Sequence, residues 1–318
     1  MIDHSSLEPG NRVHEIIATV ALIRSPSRPV PVDRLASLID HSGSAVELVQ
    51  LTLEDVLFSS PGVDLGVAGT VPTDVLVKAA EDVEAWMARS LDIRTVLDPH
   101  YPRSLHSIFD RPPLVFVKGS WRDGTDWRSV AVVGTRKASH EGESRATRLA
   151  RELVEAGFTV VSGLAAGIDA TAHQATLESG GRTVAVMGTG IDHVYPAANR
   201  SLADRILQSG GALITQFFPH QTPRPWMFPA RNVVMSGLSL ATIVVEASET
   251  SGARMQARIA LQHGRAVFLL RSLVESHEWA RQFVDDGVDG ARAIMISETA
   301  DVVDRIDVGP REPFMVSA

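Results

Sequence analysis

An α/β fold, with a doubly wound, mostly parallel sheet preceded by a small helical domain, is predicted by three observations on the 318-residue sequence. Short apolar runs recur at residues 130–133, 158–161, 183–187, 212–218, 241–247 and 266–270. Helical patterns fill most of the gaps between them, at 143–156, 169–179, 199–209 and 252–263. Strand-length apolar runs alternating with 3.6-period segments imply parallel strands joined by right-handed crossovers. Glycine, finally, follows several of the runs, as it does in tight strand-to-helix turns. Ligands of such sheets bind beyond the carboxyl ends of the strands, which directs attention to Gly134 and Gly163.

Taken in order, residues 1–10 are polar and read as a loose end. Residues 11–24 form a helical pattern with Val13, Ile16, Ile17, Val20 and Ile23 on one side, stopped by prolines at 26, 29 and 31. Residues 32–39 and 44–57 are also helical, separated by Asp40-His41-Ser42-Gly43. A short helix, a polar turn and a longer helix could form a helix-turn-helix, and a winged-helix form stays open. A DNA-reading second helix carries basic and amide residues, however. This one has Glu47, Glu54 and Asp55 and no Lys or Arg, so a plain bundle is expected. Residues 59–71, rich in Gly and Pro, read as a loop or hairpin, and 73–89 as a helix capped by Thr73 or Asp74. The domain boundary is placed near residue 92, giving a helical domain 1–92 and an α/β domain 93–318. A helical turn over 104–109 then leads to a strand at 114–117, and 294–306 reads as a strand followed by a helix begun by Ser297.

With 44 % apolar residues the chain has material for a sizeable core, and no apolar run approaches the roughly 18 residues that span a bilayer. There is no cysteine, which excludes disulfides and thiolate chemistry. The start, MIDHSSLEPG, lacks the basic-then-apolar pattern of a secretory signal, so a cytoplasmic protein is expected. A net charge of −8 opposes indiscriminate nucleic-acid binding but leaves room for a local basic groove.

Four glycine-bearing loops follow predicted strands: Gly134-Thr135-Arg136, Ser162-Gly163-Leu164-Ala165-Ala166-Gly167, Gly188-Thr189-Gly190 and Ser251-Gly252. Backbone that approaches closely and helix N-termini together favour an anion or nucleotide. Neither the dinucleotide fingerprint nor a P-loop is present. Arg136 and Lys137 stand where a phosphate clamp would, and a bidentate guanidinium suits that role. Asp169 and His173, four apart, share a helix face. A carboxylate and an imidazole together could act as a general-base pair or as half a metal site. With no nucleophile or third ligand in view, a helix-capping Asp169 and a packed His173 are expected, and neither a catalytic residue, a metal nor a cofactor is assigned. Phe228-Pro229-Ala230-Arg231-Asn232 follows a proline-rich stretch with aromatics at 217, 218 and 226. It suits either base stacking with a phosphate contact or a buried loop. Glu246, ending a strand, either meets a sugar hydroxyl or braces a neighbouring loop, and sugar contact or loop bracing is open to Asp169 too.

Several blocks, in this order, carry a resemblance: YPRSLHSIFDRPPLVFVKG, VAVVGTRKAS, VVSGLAAGIDATAHQATLESGGRTVAVMGTGIDHVYPAANRSLADRI and FPARNVVMSGLSLATIVVEASETSGARMQARIALQHGRAVF. Over residues 98–306 the chain resembles the DNA processing protein A family (DprA, also called Smf). The resemblance implies an extended Rossmann-like domain, a cytoplasmic protein without an established enzymatic reaction, and binding of single-stranded DNA. It also implies a homodimer that hands the strand to a RecA-type recombinase during DNA uptake. Arg136 matches the arginine of the family's glycine-serine-arginine loop, and Phe228, Arg231 and Asn232 match its FPxRNR block. Ala166, Ala197 and Val233 stand where basic residues are usual, and Leu269-Leu270-Arg271 replaces a valine-proline-glycine. Each lost phosphate contact removes a counterion-release contribution. Glycine loops kept while basic residues are lost motivate an alternative, a nucleotide-binding sensor or nucleotide-processing protein. That alternative resembles the lysine-decarboxylase-like Rossmann proteins, whose PGGxGT motif is absent here.

Overall fold

A computed structural model describes residues 6–26, 31–50 and 71–306. The chain opens with helices α1 (Arg12–Arg24), α2 (Val32–Ser42), α3 (Ala45–Gln50) and α4 (Thr73–Ala88). Asn11 starts α1 by accepting from the amides of Val13 and His14, and left-handed Gly43 (φ 78°) ends α2. The turn between α2 and α3 is fixed from outside. Glu15 of α1, only 6 % exposed, accepts hydrogen bonds from the Ser44 hydroxyl (2.6 Å), Ala45 N (2.7 Å) and Val46 N (3.3 Å). A carboxylate thus satisfies amides that α3 leaves unpaired at its start. The helix expected over 44–57 is seen as α3, and residues 51–70, with the rest of that helix and most of the 59–71 loop, lie outside the described residues. Neither Thr73 nor Asp74 caps α4. Pro72 takes the N-cap position and its carbonyl accepts from Leu76 N, which puts both candidates inside the first turn.

Nine strands follow: β1 (Asp92–Thr95), β2 (Leu114–Gly119), β3 (Ser129–Val133), β4 (Thr159–Ser162), β5 (Thr183–Val186), β6 (Ala212–Thr215), β7 (Ala241–Val244), β8 (Ala266–Leu270) and β9 (Ile294–Ile296). They form one sheet in the order β1-β2-β6-β5-β4-β3-β7-β8-β9. The β1–β2 and β2–β6 pairs are antiparallel and the others parallel. All predicted strands are present. β1 was not foreseen, because its four residues, DIRT, alternate too briefly to register as a strand. From β3 the chain proceeds to β4, β5 and β6 on one side, then crosses to β7, β8 and β9 on the other. The loops leaving β3 and β7 diverge there and open a crevice.

The helices after α4 are α5 (Arg103–His106), α6 (Asp123–Asp126), α7 (His140–Glu155), α8 (Ile168–Glu178), α9 (Arg200–Gln208), α10 (Met227–Leu238), α11 (Gly252–Gln262), α12 (Arg271–Ser276), α13 (Glu278–Asp285) and α14 (Ala300–Ile306). Two differ from expectation. The proline-rich approach suggested a loop through residue 232, yet 227–232 begin α10. Pro229 lies in the first turn, where the missing N–H has no helical acceptor to lose. Ser297 does not begin α14, which starts at Ala300, because Asp301 reaches back to accept from Ser297 N and Glu298 N.

The N-terminal helices pack on the sheet as one core with it. Ile16, Leu22, Leu76, Val83 and Trp86 share an apolar cluster with Ile93, Phe116, Met187 and Leu213. Trp86 meets Phe116 edge-on (5.1 Å, 86°) and stacks on Phe218 (5.6 Å, 27°). Arg12 adds a tie to Asp98 (2.7 Å) and to the Ile93 carbonyl (2.8 Å). Among the described residues, no helix is long and apolar enough to cross a membrane.

Candidate functional site

A cleft of about 420 Å³ occupies the crevice between the ends of β3 and β7. Its walls are the turn after β3 (Gly134, Thr135, Arg136), Ala165 of the loop before α8 with Asp169 of that helix's first turn, the first turns of α10 (Phe228, Pro229, Arg231, Asn232, Met235), and the loop into α11 (Ser248, Thr250, Ser251) with Gly252 and Met255 of that helix. These loops are knitted together by backbone. Thr135 N donates to Glu246 O (2.7 Å) and Ile168 N to Thr135 O (3.2 Å). Gly167 has φ +74°, and a Cβ there would lie 2.3 Å from the Thr135 carbonyl, so only glycine lets the two loops touch.

Arg136 is exposed, with its guanidinium carbon 5.0 Å from the centroid of the Phe228 ring. The ring in turn lies over Gly188, where a Cβ would come within 2.7 Å of it. Tyr195, 46 % exposed, packs against the same ring at 5.9 Å. Among the described residues Arg136 has no ion pair, so its donors are free for an anion while Phe228 fixes its direction. Lys137 is exposed but lies outside the cleft walls.

Arg231 behaves differently. It is 7 % exposed, and its Nη1 donates to the carbonyls of Gly163 (2.6 Å) and Val186 (3.0 Å), while Nε donates to Asn232 Oδ1 (3.1 Å). Asn232 Nδ2 continues to the Gly252 carbonyl (3.3 Å). The pair therefore ties the ends of β4 and β5 to the start of α11. Gly163 is required by that contact, since a Cβ there would fall 1.7 Å from Arg231 Nη1. Asp169, 4 % exposed, accepts from Gly163 N (3.2 Å) and Ala165 N (3.4 Å). Burial pushes its carboxyl up from the ordinary carboxylate range, and the Arg231 charge and these amides oppose the shift. It does not cap its own helix as expected. Gly167 is the N-cap of α8, and the amides that Asp169 receives belong to the loop ahead of it.

His173 is fully buried and packed, with Nδ1 2.7 Å from the Thr183 hydroxyl, which donates onward to the Val160 carbonyl (2.7 Å). Burial drives its pKa down to about 3, and the Arg231 charge assists, so the ring is neutral. Ser162, also buried, donates to the Val132 carbonyl (2.6 Å). Gly190 sits against the carbonyls of Phe218 and Pro219, outside the cleft. Ser251 is the N-cap of α11, and Gly252 has open space where a side chain would be. Glu246 accepts from Ser139 N (3.1 Å) and Ser139 Oγ (3.0 Å), bracing the start of α7. Among the described residues no group of three or more His, Asp or Glu could hold a metal ion.

The structure thus brings Gly134, Thr135, Arg136, Asp169, Phe228, Arg231, Asn232, Ser251 and Gly252 to one cleft and leaves Lys137, Ser162, Gly163, Gly188, Gly190 and Glu246 outside its walls. Sequence reasoning missed Tyr195, Met255 and Thr250. Only the first had a signal, an aromatic before proline at a strand-end turn. Ala166 and Ala197 are exposed, whereas Val233 faces away from the cleft beside Phe217 and Trp226.

Comparison with known proteins adds three findings. The family model described as DNA recombination-mediator protein A matches residues 92–307. The chain is 36 % identical over 184 residues to the DNA processing protein DprA of Bacillus subtilis, an alignment covering 58 % of this chain and 62 % of that one. It is 40 % identical over 176 residues to the DprA of Streptococcus pneumoniae, covering 55 % and 61 %. These alignments span less than two thirds of either relative. Among solved structures, that of S. pneumoniae DprA superposes with a TM-score of 0.69 at 28 % identity, covering 92 % of this chain and 97 % of that one. A second, of Helicobacter pylori DNA processing protein A, described for its single-stranded DNA binding mode, superposes at 0.59 and 24 % identity over 68 % of this chain and shares the fold.

Proposed function

From the premise that the chain belongs to the DNA recombination-mediator protein A family, we propose that it binds single-stranded DNA across the cleft at the β3–β7 switch point. The observation that carries this reading is Arg136, held over Phe228 at the cleft mouth and free of an ion pair among the described residues. A planar guanidinium can donate two parallel hydrogen bonds to a phosphate, and its face can stack on a base. Tyr195 and Phe228 supply aromatic surface beside it. Unpaired bases stack on such surfaces regardless of sequence. Arg231, Asn232, Asp169 and Glu246 act one step behind, fixing the loops that carry these groups.

The strand so held is handed to a RecA-type recombinase by a homodimer of this chain in the cytoplasm, serving recombination or DNA uptake, with no reaction of its own. Family membership supports this part. Fluorescence anisotropy with a labelled thymidine oligonucleotide, with salt varied from about 50 to 200 mM, tests the binding. Saturable binding at micromolar protein, weaker to duplex, is expected. A folded protein that ignores the oligonucleotide but is stabilised by mononucleotides would replace this reading with a nucleotide site. The hand-over is tested by recombinase-filament formation on strands precoated with single-strand-binding protein: no acceleration by this chain removes it.

A further inference from the structure

The cleft uses one side of the first turn of α10. We propose that the other side, at Trp226, is a second stacking platform for an unpaired base of the same strand, accompanied by Arg224; this rests on the single-strand reading above. Trp226 is 56 % exposed, whereas Trp86, Trp121 and Trp279 are buried. Its position is nonetheless set. Phe217 meets the indole nearly at right angles, with centroids 5.6 Å apart, and Pro223 and Pro225 stiffen the approach to the helix. Its exposed face, held in place, is aromatic surface on which an unpaired base can stack.

Trp226 and Phe228 are two residues apart, and at roughly 100° per residue they emerge on opposite sides of the helix end. Phe228 faces the cleft, while Trp226 and Val233 line the neighbouring hollow with Phe217. A strand crossing the tip of α10 would therefore meet Arg136 and Phe228 on one flank and Trp226 on the other. Arg224, exposed and without an ion pair among the described residues, is placed to meet the phosphate next to that base. Among the described residues the hollow is lined by Asp33 and Asp110 and by no Lys or Arg. It repels phosphate and accepts the uncharged, apolar face of a base. On that flank Val233 replaces the arginine of the family block, so stacking is the attraction available there.

The first readout uses the protein's own tryptophan. Titrating the intact protein with a thymidine oligonucleotide while following tryptophan emission should quench the exposed indole, and the quench should vanish in Trp226→Phe, which keeps a stacking ring and binds within a few-fold of wild type. Trp226→Ala should weaken binding measured by anisotropy about 5- to 150-fold, the conversion of ~1–3 kcal/mol per stacked base. On an abasic strand of equal length that penalty should disappear. Saturable anisotropy binding with no quench and an unaltered Trp226→Ala affinity would overturn the platform while leaving the single-strand reading intact. A wild-type protein that binds no oligonucleotide would end both.

Discussion

Arg136→Ala separates the contributions at the cleft mouth. The side chain is exposed and touches the Phe228 ring at 5.0 Å, with no hydrogen-bond or ion-pair partner among the described residues, so its removal leaves no buried group unsatisfied. The loss in stability should be confined to an exposed cation–π contact, about 0.5–1 kcal/mol. Binding should suffer more. A charge-assisted hydrogen bond to phosphate contributes about 1.5–3 kcal/mol, which is roughly 10- to 150-fold in affinity at 1.4 kcal/mol per decade. Salt dependence gives a second, independent number. On single strands each neutralised phosphate contributes about −0.7 to the slope of log affinity against log salt, so the variant's slope should be shallower by that amount. Arg136→Lys keeps the charge and loses the planar fork, so it should recover the slope but only part of the affinity. Anisotropy titrations at several salt concentrations give both quantities. An unchanged affinity and slope in Arg136→Ala would show that no phosphate sits at the cleft mouth and would remove the argument for single-strand binding there.

Three further outcomes follow from buried groups. Gly163→Ala would put a methyl group 1.7 Å from Arg231 Nη1, which two carbonyls hold in place; a loss of about 3 kcal/mol in denaturant unfolding is expected, together with weakened DNA binding, and a wild-type unfolding midpoint would show that Arg231 can move aside. His173 has its pKa depressed to about 3, against about 6.5 in the unfolded chain. On acidification the unfolded state takes the proton first, so this stability is complete above pH ~6.5 and is lost as pH falls toward 3, at up to ~1.4 kcal/mol per pH unit; the melting temperature should drop between pH 7 and 5, and less steeply in His173→Asn. Glu15→Ala removes the carboxylate that receives Ser44, Ala45 and Val46, and should cost about 1–3 kcal/mol, read as faster amide exchange in α1 and α3 than in β3–β5.

Where the sequence was informative, burial explains it. The parallel strands are covered on both faces, so β3, β4 and β5 are buried throughout and read as valine-rich runs with Ser or Thr only at their ends. β1 has four residues with every second one half-exposed, which is too little pattern to detect. Helix α10 was hidden by its prolines, because Pro229 reads as a breaker unless its place in a first turn is known. The site shows the same division more sharply. Arg136 and Arg231 belong to matching motifs and are chemically identical, yet one is exposed over an aromatic ring and the other is buried against carbonyls. Nothing local distinguishes them, since the difference arises from Gly163 and Gly188, distant in sequence, whose missing side chains make room for Arg231 and Phe228 respectively. Lys137 shows the converse: adjacent in sequence to Arg136, it lies outside the cleft walls.

That division changes what the charge balance means. With a net charge of −8, the protein offers a nucleic acid no long-range attraction. At physiological ionic strength the screening length is about 8 Å, so distant acidic residues contribute little repulsion once a strand is in place, and the contacts within the cleft decide the affinity. There, Arg231 is engaged with carbonyls, Ala166 and Ala197 carry no charge, and Val233 faces elsewhere. Among the described residues Arg136 is left as the exposed arginine of the cleft's walls, with Tyr195, Phe228 and Trp226 as aromatic surface around one helix end. On the proposed reading, a site so composed would hold a strand by its bases more than by its phosphates. Its salt slope should therefore be shallow, close to one or two contacts' worth, and duplex, whose bases are already stacked on one another, should be discriminated against more strongly than a purely cationic groove could achieve.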